Sequence, residues 1–224
     1  MTEPLEIITH EPKQNADACV IWLHGLGADG HDFENILPEL GLPESHRIRF
    51  IFPHAPVRSI TINNNMRMRG WYDIYSLNKL EKEDETGIQQ SSTQIENLVQ
   101  QQIDQGIVSD RIVIAGFSQG GAIALHFGLN YPKKLAGVIG LSTYLPFMIN
   151  GKQAAENSDT TLPILLCHGE YDDILPIQLG KMTLSYLTEK GYSPQWQAYP
   201  MAHQVCMDEI KLIGGWLDIK INGK

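Results

Sequence analysis

The sequence predicts a three-layer α/β sandwich with a mostly parallel central sheet. Short apolar runs alternate with longer segments of helical periodicity, and several of the runs are apolar at nearly every position, as expected for strands that helices cover on both faces. Strands separated by helices are joined by crossover connections, which favours parallel neighbours. The 224 residues fit one domain of this kind, and we expect residues 1–224 to fold as a single unit.

The order of strands and helices follows from these patterns. The predicted strands are Leu5–Ile8, Ala18–Leu23, Ile48–Phe52, Ile112–Ala115, Leu135–Leu141, Ile164–Cys167 and Gln195–Tyr199. The predicted helices are Thr86–Ile107, Gly120–Asn130, Pro176–Lys190 and Val205–Ile219. Gly191, directly after Lys190, is a residue type that ends helices.

Composition and charge exclude several classes of protein. A hydrophobic content of 42% with 19% charged residues is typical of a folded globular protein and not of a disordered one. The net charge of −9, without a lysine or arginine cluster, argues against a nucleic-acid partner. The N-terminal residues lack the pattern of a signal peptide, and no apolar run reaches the roughly 18 residues of a membrane span. The three separated cysteines predict neither disulfides nor a zinc site, and we expect a cytoplasmic protein.

A glycine-rich segment, HGLGADG, follows the predicted strand Ala18–Leu23. Gly25, Gly27 and Gly30 have the G-x-G-x-x-G spacing of a dinucleotide-binding turn. The same glycines also suit a loop that bends close to neighbouring backbone. The spacing alone leaves both interpretations open.

A second segment, GFSQG at residues 116–120, lies between a predicted strand and a predicted helix. G-x-S-x-G in that context forms a sharp turn that exposes the serine at the carboxyl end of the strand. Ser118 is therefore a candidate nucleophile. The alternative is an ordinary glycine-rich turn in which Ser118 caps the following helix.

Acidic residues and a histidine follow the last two predicted strands, Ile164–Cys167 and Gln195–Tyr199. Glu170, Asp172 and Asp173 come after Ile164–Cys167, and His203 comes after the last strand. The chain order of serine, acid and histidine is the order expected for this kind of turn, and the carboxyl ends of parallel strands share one edge of the sheet. Because Asp172 and Asp173 are adjacent, only one of them can point at His203.

Four segments, HGLGADG, GFSQGGA, HGEYDD and AYPMAHQV, together resemble the bacterial carboxylesterase and acyl-protein thioesterase family of α/β-hydrolases. The resemblance covers essentially the whole chain, including PHAPVR and RGWYDI. It implies an α/β-hydrolase fold without a large cap domain. Consistent with that, only about twenty residues separate the strand after the Ser118 helix from the next strand, too few for a helical cap. It also implies catalysis by Ser118, Asp172 and His203, no cofactor, and a weak homodimer.

The resemblance also decides between the two interpretations of the glycine-rich segment. A dinucleotide site needs a carboxylate at the end of the second strand, but the run RIRFIF ends in Pro53-His54-Ala55-Pro56. In a hydrolase the glycines let the loop turn its N–H groups toward the nucleophile. We therefore expect the backbone N–H groups of Leu26 and Gln119 to form an oxyanion hole.

The remaining histidines and the cysteine near His203 are expected to be structural. His24, His31 and His168, together with Asp32, do not form a ligand set with metal spacing, so no metal is expected. Cys206, three residues after His203, is a rival nucleophile by chemistry, but we interpret it as a small packed residue at the start of a helix.

These residues predict acyl transfer to water through an acyl-enzyme. Carboxyl esters, lysophospholipids and protein S-acyl thioesters all suit this chemistry, so the main activity stays open between a carboxylesterase, a protein S-acyl thioesterase and a lysophospholipase. The alternative from another class is a non-catalytic, membrane-associated binding protein of the same fold.

Residues 53–85 show no clear periodicity, and a loop of that length is commonly functional. We expect a flexible flap at about 57–80 in which Trp71, Met66 and Met68 contact the acyl chain of the substrate. The apolar residues, including Leu77, alternate with arginines, which favours contact with the inner membrane surface. The alternative is a loop whose apolar side chains simply pack on the domain.

Overall fold

The computed structural model describes residues 4–76, 82–148 and 159–223. The strands are β1 Ile7–His10, β2 Ala18–Leu23, β3 Ile48–Pro53, β4 Val57–Ile60, β5 Met66–Arg69, β6 Ile112–Phe117, β7 Gly137–Leu141, β8 Ile164–Gly169 and β9 Gln195–Tyr199. The helices are α1 Glu85–Asp104, α2 Gln119–Asn130, α3 Ile177–Glu189 and α4 Met207–Asn222.

The main sheet has the strand order β1-β3-β2-β6-β7-β8-β9. β1 runs antiparallel to β3, and the other neighbours pair in parallel, with Val20 opposite Phe50 on one side and Val113 on the other. The carboxyl ends of the six parallel strands therefore lie at the same edge of the sheet. Residues that follow β2, β6, β8 and β9 meet at this edge.

Helices cover both faces of the sheet, which confirms the three-layer prediction. Ile21 and Leu23 of β2 pack in one apolar cluster with residues of α1, α2 and α3. Val20 and Trp22, the alternate residues of the same strand, pack in a second cluster with α4. Alternation of side chains across a strand places the two clusters on opposite faces.

The sequence predicted the strands of the main sheet with small shifts in their ends but missed the hairpin β4–β5. In this hairpin only Ile60 is buried, so the alternation of methionine and arginine in β5 does not mark a strand with one face in the core. Asn64 and Asn65, in the connecting loop, have left-handed φ values of 54° and 59°, which asparagine tolerates better than most residues. Leu77 and the rest of the predicted flap at 77–80 lie outside the described residues.

Two further predictions can be compared directly with the chain path. Gly191 ends helix α3 as predicted, with a φ of +90° and an N–H that donates to the carbonyl of Thr188 at 3.0 Å. Between β7 and β8 the described residues, 142–148 and 159–163, contain no helix, in agreement with the absence of a large cap. Among the described helices, none combines the length and the apolar character needed to cross a bilayer.

The folded state is expected to be most stable near pH 6.5 because buried groups titrate outside their ordinary range. Burial lowers the pKa of His24 from 6.5 to about 4 and that of His126 likewise to about 4. Between pH 6.5 and about 4 the unfolded chain binds protons at these histidines that the folded chain does not, so the free energy of unfolding falls as the pH falls. Burial raises the pKa of Glu209 from 4.5 to about 8, so the folded chain keeps an extra proton in that interval and stability falls as the pH rises.

Urea unfolding between pH 4.5 and 9 measures both effects. Below about pH 6.5 the loss of stability from protonating two histidines exceeds the gain from the one proton on Glu209. Above that pH the stability depends mainly on the titration of Glu209. Each unmatched proton changes the free energy of unfolding by at most about 1.4 kcal/mol per pH unit. Glu209→Gln should flatten the curve between pH 6.5 and 8, and His126→Gln should weaken the acid limb. An unchanged alkaline limb in Glu209→Gln would exclude this carboxyl as its source.

Candidate active site

Ser118 lies in a strained turn between β6 and α2, at the carboxyl edge of the sheet. Its φ of 54° and ψ of −120° are rare for a residue with a side chain. A Cβ on Gly116 would lie 2.3 Å from the carbonyl oxygen of Gly120, and a Cβ on Gly120 would lie 2.5 Å from that of His24. The two glycines are therefore required by the close approach of the turn to its neighbours.

His203 and Asp172 complete a hydrogen-bonded chain that begins at Ser118. The distance from His203 Nε2 to Ser118 Oγ is 2.9 Å, and the distance from His203 Nδ1 to Asp172 Oδ2 is 2.7 Å. A carboxylate accepts but does not donate, so Nδ1 carries the proton and Nε2 accepts from the hydroxyl. A hydroxyl on an imidazole that a carboxylate orients is the arrangement that nucleophilic serine chemistry uses.

Asp172, and not its neighbours, reaches the imidazole. Its side chain is 0% exposed, and its Oδ1 accepts from the backbone N–H groups of Ile174 at 3.0 Å and Leu175 at 2.8 Å. Asp173 and Glu170 are exposed to solvent. The structure thus separates the carboxylates that the sequence left as alternatives.

Hydrogen bonds to Asp172 keep its carboxyl group ionised. Burial alone raises the pKa of this carboxyl, but the hydrogen-bonding rings of His168 and His203 and the N–H of Leu175 outweigh burial and hold the pKa well below its ordinary range. The His168 Nε2 atom also donates to the carbonyl of Leu175 at 2.8 Å and lies 3.4 Å from Asp172 Oδ2. A carboxylate that stays charged can stabilise an imidazolium beside it.

A cavity of about 360 Å³ opens at Ser118 and His203. Leu26 and Gln119, the two residues expected to form the oxyanion hole, both line it. Gln119 is the first residue of α2, where backbone N–H groups have no acceptor within the helix and the helix dipole favours negative charge. The apolar and aromatic lining residues include Ile62, Tyr72 and Ile74, which lie in the segment 57–80 that the sequence assigned to the acyl-chain site. The sequence did not identify the others, which are Phe117, Tyr144, Ile174 and Leu175.

The structure corrects the assignment of Trp71, Met66 and Met68 to the substrate site. None of the three lines the cavity at Ser118. Trp71 is 0% exposed and its indole N–H donates to the carbonyl of His24 at 2.9 Å, so it belongs to the core. Met66 is 63% exposed, and the Met68 sulfur accepts from the side-chain amide of Asn63 at 3.3 Å. Instead, the adjacent residues Ile62 and Tyr72 face the cavity.

The other histidines have structural partners, as expected. His24 Nδ1 lies 2.7 Å from the carbonyl of Gly25, and its Nε2 accepts from the N–H of Ala55 at 3.0 Å. His31 Nδ1 lies 2.8 Å from Glu34 Oε1 at the surface. His168 is buried behind Asp172, as described above.

No metal cluster or disulfide arises from these side chains. Over residues 4–76, 82–148 and 159–223, no group of three or more histidine, cysteine, aspartate or glutamate side chains is placed to hold a metal ion. Asp32 lies on the cavity wall without such partners. Cys206 is half-buried and unpaired at the N-cap position of α4, as the sequence predicted.

Comparison with known proteins places this geometry in a family. The model of the phospholipase/carboxylesterase family matches residues 5–221. Acyl-protein thioesterase 1 of Neurospora crassa is 40% identical over 211 residues, which cover 89% of this chain and 85% of that protein.

Solved structures agree with the match to the family. The crystal structure of Arabidopsis thaliana SOBER1 has a TM-score of 0.84 at 30% identity and covers 91% of this chain and 99% of that one. Zea mays acyl-protein thioesterase 2 has a TM-score of 0.83 at 27% identity, with 96% and 99% covered. These similar proteins come from a fungus and two plants, so the resemblance is not restricted to bacterial members. The chain belongs to the phospholipase/carboxylesterase family of α/β-hydrolases.

Proposed function

We propose that this protein hydrolyses acyl esters and acyl thioesters with Ser118 as nucleophile, His203 as general base and Asp172 as the residue that orients the base. Family membership makes the protein a hydrolase of esters or thioesters. The observation that carries the residue roles is the hydrogen-bonded chain, with 2.9 Å from Ser118 Oγ to His203 Nε2 and 2.7 Å from His203 Nδ1 to Asp172 Oδ2.

The proposed reaction has two steps. His203 Nε2 takes the hydroxyl proton while Ser118 Oγ attacks the acyl carbonyl, and the protonated imidazole then gives that proton to the leaving alcohol or thiol. Water, deprotonated by the same nitrogen, attacks the acyl-enzyme, and the imidazolium returns the proton to Ser118 Oγ as the bond from Oγ to the acyl carbon breaks and the carboxylic acid leaves. The charge of Asp172 stabilises the imidazolium in both steps.

The oxyanion of each tetrahedral intermediate is proposed to accept from the N–H groups of Leu26 and Gln119. Gln119 directly follows the nucleophile at the start of α2, and Leu26 lies in the glycine-rich loop on the same cavity. Removing one such donor typically lowers kcat by about 10²- to 10³-fold. No cofactor or metal is needed for these steps.

The cavity walls support an acyl chain as the group that is bound. Most of the lining side chains are aliphatic or aromatic, among them Ile62, Ile74 and Leu175. Each methylene that enters such a site contributes about 0.8 kcal/mol. Because a relative at 40% identity is named an acyl-protein thioesterase, we propose that S-acyl thioesters are among the substrates, with simple esters and lysophospholipids as the competing classes.

A fluorophosphonate probe together with a matched substrate panel tests this proposal. The probe should react with the wild-type protein at a serine, since only an activated hydroxyl attacks it readily. Thioesters and oxygen esters of the same acyl chain, from acetyl to palmitoyl, should show kcat/KM rising with chain length until the cavity is filled. A protein that neither reacts with the probe nor turns over any member would instead support the non-catalytic binding function.

We further propose that the β4–β5 hairpin touches the inner membrane surface during catalysis. Met66 is 63% exposed, and Ile62 and Ile174, at the cavity, are 37% and 49% exposed. Exposed apolar side chains beside Arg67 suit a lipid interface. Co-sedimentation with anionic vesicles should decrease in Met66→Ser, whereas the buried Trp71 should give no fluorescence response to lipid.

The remaining proposals concern the compartment and the assembly of the protein. Buried free cysteines such as Cys19 and Cys167 favour the reducing cytoplasm. The weak homodimer that the family resemblance implies is tested by sedimentation equilibrium over a range of concentrations, where a constant monomer mass would exclude it.

A further inference from the structure

Trp71 connects the loop that carries Leu26 to the turn that carries Ser118. Its indole N–H donates to the carbonyl of His24, two residues before Leu26, at 2.9 Å. Its backbone N–H donates to the side-chain oxygen of Gln119 at 2.8 Å. The indole is fully buried, so water does not compete for its hydrogen bond. One residue therefore contacts both segments from which the oxyanion donors are proposed to come.

The side chain of Gln119 holds the same connection from the other side. Its Nε2 donates to the carbonyl of Tyr72 at 2.7 Å, so one amide pairs with the N–H of Trp71 and the carbonyl of Tyr72. Two hydrogen bonds to a single backbone segment fix the orientation of the amide. Because the backbone N–H of Gln119 is a proposed oxyanion donor, fixing the side chain restricts where that N–H points.

Further hydrogen bonds hold the segment around Trp71 in place. The N–H of Gly27 donates to the carbonyl of Arg69 at 2.8 Å, directly beside Leu26 in the glycine-rich loop. Ser91 of helix α1 donates its hydroxyl to the carbonyl of Trp71. Residues 69–72 thus form a bridge between the glycine-rich loop and the turn at Ser118, and they are anchored to a helix behind them.

We propose that Trp71 is a positioning residue that sets the separation between the backbone N–H groups of Leu26 and Gln119. This inference rests on the proposed function. Oxyanion donors act only when they lie about 2.7–3.1 Å from the position of the developing charge, and a shift of about 1 Å can cost roughly 100-fold in rate. The indole N–H fixes the loop on one side of that charge, and the backbone of Trp71 fixes the turn on the other.

Trp71→Phe isolates the contribution of the indole N–H. Phenylalanine keeps an aromatic ring in the core and the backbone hydrogen bond to Gln119, but the carbonyl of His24 loses its donor. We expect kcat to fall roughly 10- to 100-fold with KM within about twofold. Affinity for a trifluoromethyl ketone, whose hemiketal places an oxyanion in the hole, should fall in parallel with kcat/KM. Binding of the unreactive ether analogue of the substrate should not change.

Trp22→Phe is the matched control. Trp22 is also a buried tryptophan, at 1% exposure, but its indole nitrogen has no hydrogen-bond partner among the described residues. Both variants lose a similar volume, and a thermal melt of each measures the cost of that loss. If Trp71→Phe lowers kcat and ketone affinity no more than Trp22→Phe does, or if KM rises in place of a fall in kcat, the positioning role is excluded.

A second variant separates this inference from the proposed function. Gln119→Met removes both side-chain hydrogen bonds to residues 71 and 72 while keeping the backbone N–H, and it should reproduce the loss of kcat and ketone affinity. If the wild-type protein fails to react with a fluorophosphonate, the proposed function itself is overturned. If the wild type reacts and both variants match it in kcat and in ketone affinity, only the inference about Trp71 is overturned.

Discussion

Ser118→Ala is expected to lower kcat by about 10⁶-fold, the loss typical of a serine hydrolase deprived of its nucleophile. The hydroxyl is the atom that His203 contacts at 2.9 Å, and alanine leaves the imidazole with no proton to accept. Turnover that remains should not exceed roughly 10³- to 10⁴-fold over water, which binding and the oxyanion hole supply by themselves. Steady-state hydrolysis of a thioester and labelling by a fluorophosphonate measure the effect.

Cys206→Ser provides the control for Ser118→Ala. Cys206 is the nearest rival nucleophile in sequence to His203, but it lies at the N-cap position of α4, and the ring nitrogens of His203 pair with Ser118 and Asp172 instead. We expect near-normal kcat and full labelling in Cys206→Ser. Labelling that survives in Ser118→Ala, or that disappears only in Cys206→Ser, would assign the nucleophile to the cysteine.

The main sheet, the turn at Ser118 and the edge of the sheet that holds the site were predictable because they follow from short-range sequence patterns. Buried parallel strands are apolar at nearly every position, and the turn at Ser118 requires Gly116 and Gly120 for steric reasons. Once these strands are parallel, residues that follow them must share one edge of the sheet. The order of serine, acid and histidine then limits the candidates to a few side chains.

Two features depend on tertiary contacts that the local sequence does not reveal. They are the identity of the carboxylate that orients His203 and the set of residues that line the cavity. Asp172 and Asp173 are chemically identical neighbours, and it is the contacts of Asp172 with His203 and with the backbone N–H groups of residues 174 and 175 that hold this one inward. Tryptophan is a residue type common at binding surfaces, but Trp71 is buried and its backbone N–H donates to the side-chain oxygen of Gln119. The hairpin β4–β5 was missed because the alternation of methionine and arginine in β5 does not reflect burial, since Ile60 alone among the strand residues of the hairpin is buried.

Asp172→Asn is the second large effect, with an expected fall in kcat of up to about 10⁴-fold, as measured when the corresponding acid of other serine hydrolases is amidated. The two N–H donors from Ile174 and Leu175 will hold the amide oxygen in the place of Oδ1. The amide NH₂ group then faces His203 and requires an unprotonated Nδ1. The proton moves to Nε2, which can no longer accept from Ser118.

Asp173→Asn tests whether this loss comes from the position of one carboxylate or from local charge. Each variant removes one negative charge, at neighbouring positions, but Asp173 is exposed and His203 Nδ1 pairs with Asp172 instead. We expect kcat of Asp173→Asn to stay within about twofold of wild type, as for surface changes in general, while the fluorophosphonate reacts slowly with Asp172→Asn alone. If Asp173→Asn were the slower enzyme, the orienting acid would be Asp173. Equal losses in the two variants would mean that His203 responds to the summed charge of the loop, because a hydrogen bond to one oxygen at 2.7 Å cannot be broken equally by both.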